Sequence, residues 1–497
     1  MKQNFQIGGM TCAACQAHVQ NILNMYYFFV SIILFQILYF SISEDRLVFL
    51  YTHFRHGARA PIEINDSFYD ELGEKWTNPG ELTGVGQRMH YILGLRNRKK
   101  YVKDETFLSE KFDPHEMLIF SSNYNRTMIS CSSQLQGLYP QKDNLGEILS
   151  LEQKKMAYPQ VNITDEKINK ALIESGNSSL PNLMILTPVR MVGNLDKIMN
   201  VYDLKESKKA RDDIYEKNFD NLPDDYFEKF RDKYASSLNK YYKKEIKPEF
   251  DFNQLAGICD VFVCDYVDGR NMSEFKEKTN LDFDEFYSDC LEYLRKIYLD
   301  VDHGDKEKAL AHVDSSKIMQ ELIYYMKRRL DSDMTEINED DNYKDYSRPK
   351  MIMTSGHEST VIADEIFIIR ALGLNETDIF AFPRYASQLA LEVRTAINEG
   401  KTKHYSDYYI LGYFNDRQIF NVKADEFIEK IQNEIWDENK INDFCGINNN
   451  NNGTNDNNKK SDNAKTAYKV LMSVFICTSA ILLALAIILG YKLSKSK

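Results

Sequence analysis

The sequence predicts an α/β fold, and three stretches predict it. Residues 47–51, 117–120 and 351–353 are short apolar runs of strand character, each closing on a turn of small or polar residues. Helical spacing follows each of them. Strand, polar turn, helix is the arrangement in which open α/β sheets bind ligands, at strand carboxyl ends and helix N-termini. With 497 residues the chain is long enough for one large core and an insertion. Lys+Arg 62 against Asp+Glu 74 gives a net charge of -12. That balance argues against a nucleic-acid partner, whose backbone demands clustered cations. Tyr 31 and Phe 28 against Trp 2 mark an aromatic-rich globular chain, not a disordered one.

The first strand should end near Phe54 and release Arg55-His56-Gly57-Ala58-Arg59-Ala60-Pro61 into a turn. Gly57 permits tight backbone geometry there and Pro61 stiffens the exit. Each guanidinium offers a planar fork of donors suited to phosphate oxygens. A neutral imidazole between two Arg is a poor proton acceptor and a good nucleophile toward bound phosphorus. This stretch, R-H-G-x-R-x-P, resembles the signature of the histidine acid phosphatases at all five fixed positions. The resemblance implies a phosphoglycerate-mutase-like fold: a central, mostly parallel sheet flanked by helices, with a helical cap insertion. It implies His56 as the phosphohistidine nucleophile, with Arg55 and Arg59 binding the phosphoryl group. No cofactor and no catalytic metal are expected.

Thr83 in Glu81-Leu82-Thr83-Gly84-Val85-Gly86 is the expected N-cap of the next helix, whose apolar face would carry Met89, Ile92, Leu93 and Leu95. His90 reads as a surface or core histidine. The second strand closes on Ser121-Ser122-Asn123-Tyr124-Asn125-Arg126-Thr127, and a helix is expected over 128–138. This turn is similar to the family's S-x-x-x-x-R-T-x-x-S segment, which makes Arg126 a third phosphate ligand. Residues 150–340 read as a helical insertion that roofs the site and carries substrate selectivity. Within it, 331–345 reads as a solvated charge run. The third strand ends in Ser355-Gly356-His357-Glu358, where the family carries an H-D pair, Glu replacing Asp in some branches. His357 would then bond a phosphoryl oxygen and Glu358 act as general acid. Phe382-Pro383-Arg384-Tyr385-Ala386-Ser387-Gln388-Leu389 resembles the family's P-x-Y-A-S-x-L segment, and 389–393 and 408–413 should be the last strands.

The ends differ in character from this body, expected over 44–445. Residues 1–24 contain Gly8-Gly9-Met10-Thr11-Cys12-Ala13-Ala14-Cys15, which resembles the metal loop of heavy-metal-associated domains. The stretch is too short for such a domain, so an extension without a folded metal domain is expected, with Cys12 and Cys15 as the metal-binding candidates. Residues 25–43 have the shape of a signal peptide without a basic n-region, or of a signal anchor if left uncleaved. An Asn-rich linker is expected over 446–469, a transmembrane helix over 470–490 and a cytosolic tail over 491–497. Such a chain would be a single-pass membrane protein with a luminal or extracellular body, in a lysosome-like compartment or at the cell surface. Sequons at Asn65, Asn125, Asn162, Asn177, Asn271, Asn375 and Asn452 suit that side, though Asn125 adjoins Arg126. Of the 8 Cys, Cys131, Cys259, Cys264, Cys290 and Cys445 fall in the body, and Cys477 lies within the apolar run. At most two disulfides can form there, with Cys259, Cys264 and Cys290 expected to supply one pair.

The expected function is a membrane-anchored acid phosphatase acting on phosphate monoesters. The alternatives are an inositol polyphosphate phosphatase or a phosphomutase of the same superfamily, and a non-catalytic glycosylated surface protein. The oligomeric state stays open, with a homodimer as one expectation.

Overall fold

The computed structural model describes residues 45–62, 76, 78–140, 148–157, 189–192, 224–242, 252–270, 272–299, 305–335, 348–375, 382–397 and 403–444. The chain divides into two compact units, Met1–Ile441 and Asn442–Lys497, and of the second only 442–444 are described. The Cys12–Cys15 motif, the apolar runs 25–43 and 470–490, and the Asn-rich linker lie outside the described residues. Among the described residues no helix is long and apolar enough to cross a membrane.

The first unit is built on a seven-stranded sheet. In chain order, β1 (Asp45–Arg55) is followed by α1 (Gly84–Asn97), β2 (Met117–Ser122), α2 (Asn125–Leu138), α3 (Leu151–Met156) and β3 (Arg190–Val192). Five helices come next: α4 (Asp224–Tyr242), α5 (Phe252–Asp268), α6 (Ser273–Thr279), α7 (Phe283–Leu299) and α8 (Asp305–Met334). The last elements are β4 (Met351–Gly356), α9 (Glu358–Leu372), β5 (Gln388–Ala396), β6 (Tyr408–Phe414), β7 (Arg417–Lys423), α10 (Ala424–Glu434) and α11 (Glu438–Phe444). The strand order is β3-β2-β4-β1-β5-β6-β7.

The expected α/β class holds, but the sheet is only half parallel by pairing. The pairs β3·β2, β2·β4 and β4·β1 are parallel, whereas β1·β5, β5·β6 and β6·β7 are antiparallel. Short connections force the β5·β6 and β6·β7 pairs to be antiparallel, because a parallel neighbour needs a long crossover. β6 and β7 are joined by Asn415 and Asp416, both at positive φ, the primed turn a tight hairpin requires.

Strand side chains alternate between two apolar layers. Leu50, Phe54, Met117, Ile119, Met351 and Met353 pack against Cys131, Leu135 and Leu138 of α2. Val48, Tyr51, Leu118 and Ile352 face the other way, into a core with α8, α9 and α10. Phe49 joins Val48 in that second core because the pairing with β5 slips between Leu47 and Phe49. α8 belongs to this body layer: its Leu322, Met326 and Leu330 are buried there, and Arg329 Nε donates to the Val48 carbonyl at 3.2 Å. The expected cap of 150–340 therefore stops short of α8. The charge run also begins inside α8, where Asp333 pairs with Arg46 at 2.6 Å and accepts from Tyr408 at 2.7 Å.

α1 buries a different face from the apolar one. Gly86, His90, Gly94 and Asn97 are buried, while Ile92 and Leu95 are exposed. The reason is close packing on α2: a Cβ on Gly94 would lie 2.0 Å from the Gln134 carbonyl oxygen. Side-chain volume, not hydrophobicity, selects the contact face. Cys131, Cys259, Cys264 and Cys290 are free, buried thiols, which corrects the expected disulfide from Cys259, Cys264 and Cys290.

Glu365 on α9 is buried with neither carboxyl oxygen hydrogen-bonded. Burial, only partly offset by Arg417, raises its pKa from 4.5 to about 8. The folded state thus holds a proton that the unfolded chain has released over that interval, so stability is full below pH 4.5 and falls as pH rises toward 8. Chemical denaturation across that range should show the slope, and Glu365→Gln should flatten it. A wild type with pH-independent stability would contradict this.

Candidate active site

The R-H-G-x-R-x-P loop leaves β1 where three other segments converge. His56 N donates to Gly356 O at 2.9 Å, at the end of β4, and Ala386 N donates to His56 O at 3.1 Å. Gly57 N donates to Ser130 Oγ of α2 at 3.1 Å. Gly57 is not in a left-handed conformation. It is required because a Cβ there would lie 2.4 Å from Gly86 O, and one on Gly86 would lie 2.2 Å from Ala58 O. The loop and the start of α1 are in backbone contact, which two glycines make possible. Thr83 caps α1, accepting from Gly86 N at 3.2 Å, and its own N–H bonds Ala58 O at 2.9 Å. Beneath the loop, His90 Nε2 donates to Arg55 O at 3.1 Å, so His90 is a core support.

His56 is buried, and its Nδ1 bonds the Gly57 carbonyl at 2.8 Å. That bond requires the proton on Nδ1 and leaves Nε2 with a free lone pair. Burial, then Arg55, His357, Arg59 and Arg126, holds the His56 pKa well below 6.5. Glu358, first residue of α9, sits across the ring: Oε2 is 3.8 Å from His56 Nε2 and 3.0 Å from Arg55 Nε. Burial alone would raise its pKa, but Arg55, Arg59 and His357 together lower it to about 2. In the ligand-free site Glu358 is therefore a carboxylate, not yet the acid the sequence reading requires.

Arg55 Nη1 donates to Pro383 O at 2.8 Å, and its guanidinium stacks on Tyr385 at 4.3 Å. Arg126 stacks on Tyr124 at 4.6 Å, and its Nη2 donates to His357 Nδ1 at 3.3 Å. That leaves the His357 proton on Nε2, facing Ser122 Oγ at 3.0 Å. Burial and Arg126 lower the His357 pKa to about 3. The rings of His56 and His357 lie 5.5 Å apart. His357 N bonds Thr360 Oγ1 at 2.9 Å; that hydroxyl meets His53 Nε2 at 3.2 Å, and His53 Nδ1 pairs with Asp364 at 2.6 Å. The Nε–H groups of Arg59 and Arg126 are buried without a hydrogen-bond partner among the described residues.

The structure thus brings Arg55, His56, Arg59, Arg126, His357 and Glu358 to one place from three distant segments. Sequence reading missed four supports. Tyr385 packs on Arg55 and lies 5.8 Å from the His56 ring, and the family segment around it was the available signal. Ser122 and the His53–Asp364 pair brace His357. Asp260 of α5 grips Arg59 by both oxygens, Nη2–Oδ1 at 2.8 Å and Nη1–Oδ2 at 3.1 Å. Asp260 gave no signal, being one acid among many on a helix.

Comparison with known proteins adds the following. The family model described as histidine phosphatase superfamily (branch 2) matches residues 46–411. Over 102 residues the chain is 36% identical to prostatic acid phosphatase of Homo sapiens, covering 20% of this chain and 25% of that protein. Over 98 residues it is 33% identical to lysosomal acid phosphatase of Xenopus laevis, covering 20% and 22% respectively. The chain spans about a quarter of the length of the curated relatives it matches. Among solved structures, Hafnia alvei phytase in its apo form gives a TM-score of 0.48 at 11% identity, covering 81% of this chain and 98% of that one.

Both pocket imidazoles should be neutral in the ligand-free protein. Nitrogen NMR of labelled histidine should show no titration of His56 or His357 down to about pH 5.5, a unit below the ordinary histidine value. Protonation of His56 near 6.5 would remove the basis for a nucleophilic imidazole.

Proposed function

Since the chain belongs to the histidine phosphatase superfamily, branch 2, we propose that it is an acid phosphatase that hydrolyses phosphate monoesters through a phosphohistidine at His56. The observation that carries this reading is the His56 ring itself: neutral, buried, its Nδ1 proton fixed on Gly57 O, its Nε2 unprotonated among three guanidinium groups. The phosphoryl oxygens take donors from Arg55, Arg59, Arg126 and neutral His357, and the three guanidinium charges stabilise what develops in transfer. The Nε2 lone pair forms the P–N bond as the ester P–O bond breaks. Glu358 gives its proton to the departing alkoxide. In the second step a water loses its proton to Glu358, its oxygen attacks phosphorus, and the P–N bond breaks.

Glu358 has to change before it can serve. In the ligand-free site its carboxylate lies over Nε2, in the space phosphorus must occupy. An entering phosphoryl group competes for Arg55 and repels the carboxylate. Both effects push Glu358 outward toward the leaving oxygen and raise its pKa. Acidic pH favours the protonated form, so turnover should be greater in acid.

His56→Ala should lower kcat on a simple aryl phosphate by about a thousandfold or more. Rapid quenching with labelled ester should leave an acid-labile label on His56, and an active enzyme without that label would refute the mechanism. The proposal includes a membrane tether at 470–490, with the body luminal or exterior. The full chain should stay with membranes through an alkaline carbonate wash, and release into the supernatant would remove the tether.

A further inference from the structure

We propose that Asp260, on the cap helix α5, sets the charge of the substrate: a single phosphoryl group on a neutral or cationic alcohol. This rests on the phosphatase reading above.

Asp260 is not a wandering surface acid. Its two oxygens hold Arg59 Nη2 at 2.8 Å and Nη1 at 3.1 Å, and Oδ2 also accepts from Ile62 N at 3.1 Å. All these donors belong to the nucleophile loop and the residue just after it. One turn along α5, Cys264 contacts both Arg59 and Tyr385, which keeps this face of the helix against the pocket. Burial leaves Cys264 a neutral thiol.

The consequence is a count of charges. Among the described residues the site holds three guanidinium groups, Arg55, Arg59 and Arg126. Glu358 compensates Arg55 and Asp260 compensates Arg59. His56 and His357 are neutral. Arg126, whose bond is to neutral His357, carries the one uncompensated charge. A phosphomonoester brings one to two negative charges near neutral pH. Once Glu358 yields Arg55 and takes its proton the excess is two charges, and one phosphoryl group uses it all. Among the described residues a second anionic group on the alcohol finds no spare buried cation in the pocket, and it meets Asp260, whose side chain is 25% exposed. Arg384 lies over the Tyr287 ring at 5.6 Å but is exposed, where salt screens it. A cationic alcohol is attracted by the carboxylate that repels an anionic one.

The test uses the full-length protein and three aryl monoesters of matched size: para-aminomethylphenyl, para-carbamoylphenyl and para-carboxyphenyl phosphate. Wild type should favour the carbamoyl over the carboxy ester by about tenfold in kcat/KM, equal to about 1.4 kcal/mol, and should turn over the aminomethyl ester at least as well as the carbamoyl one. Asp260→Asn should move the carboxy-to-carbamoyl ratio by about tenfold toward the carboxy ester and tighten inhibition by inorganic phosphate. Asp260→Glu should keep the wild-type ratio. A wild type indifferent to the para charge, or an active Asp260→Asn with the ratio unchanged, overturns the inference. The wild-type order decides it even if Asp260→Asn does not fold. Failure of wild type to hydrolyse any of the three would instead sink the phosphatase reading.

Discussion

The site depends on one imidazole that stays uncharged while surrounded by cations. His56 is buried beside Arg55, Arg59 and Arg126, and each of these disfavours a second proton on the ring. The bond from Nδ1 to the Gly57 carbonyl then decides which nitrogen keeps the lone pair. An anion is needed to bring those cations together, and ligand-free protein supplies it internally. Glu358 neutralises Arg55 and Asp260 neutralises Arg59, so the pocket tolerates three guanidinium groups at close quarters.

This arrangement makes the empty site a competitor for its own donors. A phosphoryl group entering must take Arg55 from Glu358 and share Arg59 with Asp260. In the proposed reaction the first exchange frees an acid for the leaving group, and in the proposed selectivity the second limits how much further negative charge the pocket accepts. The two carboxylates come from different layers, Glu358 from the helix after β4 and Asp260 from the cap. The chemistry and the selectivity proposed for the site thereby fall on separate elements.

Close backbone packing keeps the loop from relaxing. Gly57 against Gly86 leaves no room for a side chain on either partner. On the other side the Pro383–Ser387 turn wraps the loop, with Ala386 at φ 60, a left-handed position that costs an L residue about 1 kcal/mol. The Ala386 N–H to His56 O bond and the Ser387 O bond to Arg55 N hold it there.

The sequence by itself determined five of the seven strands, the turns that end the first, second and fourth, and the six residues that meet in the pocket, because local periodicity and short spaced motifs encode these; β3 and β7 it left unread. It also placed helices after each turn, through caps such as Thr83. Tertiary structure decided what depends on residues far apart in the chain. It made half the sheet pairings antiparallel, turned α1 so that Gly94 rather than Ile92 faces inward, and drew α8 into the body. It left Cys131, Cys259, Cys264 and Cys290 as thiols, and it paired Asp260 with an arginine 201 positions away. Each of these is settled by distance between segments, by the volume available at a contact or by charge balance in a buried space. None of those quantities is written in the local order of residues.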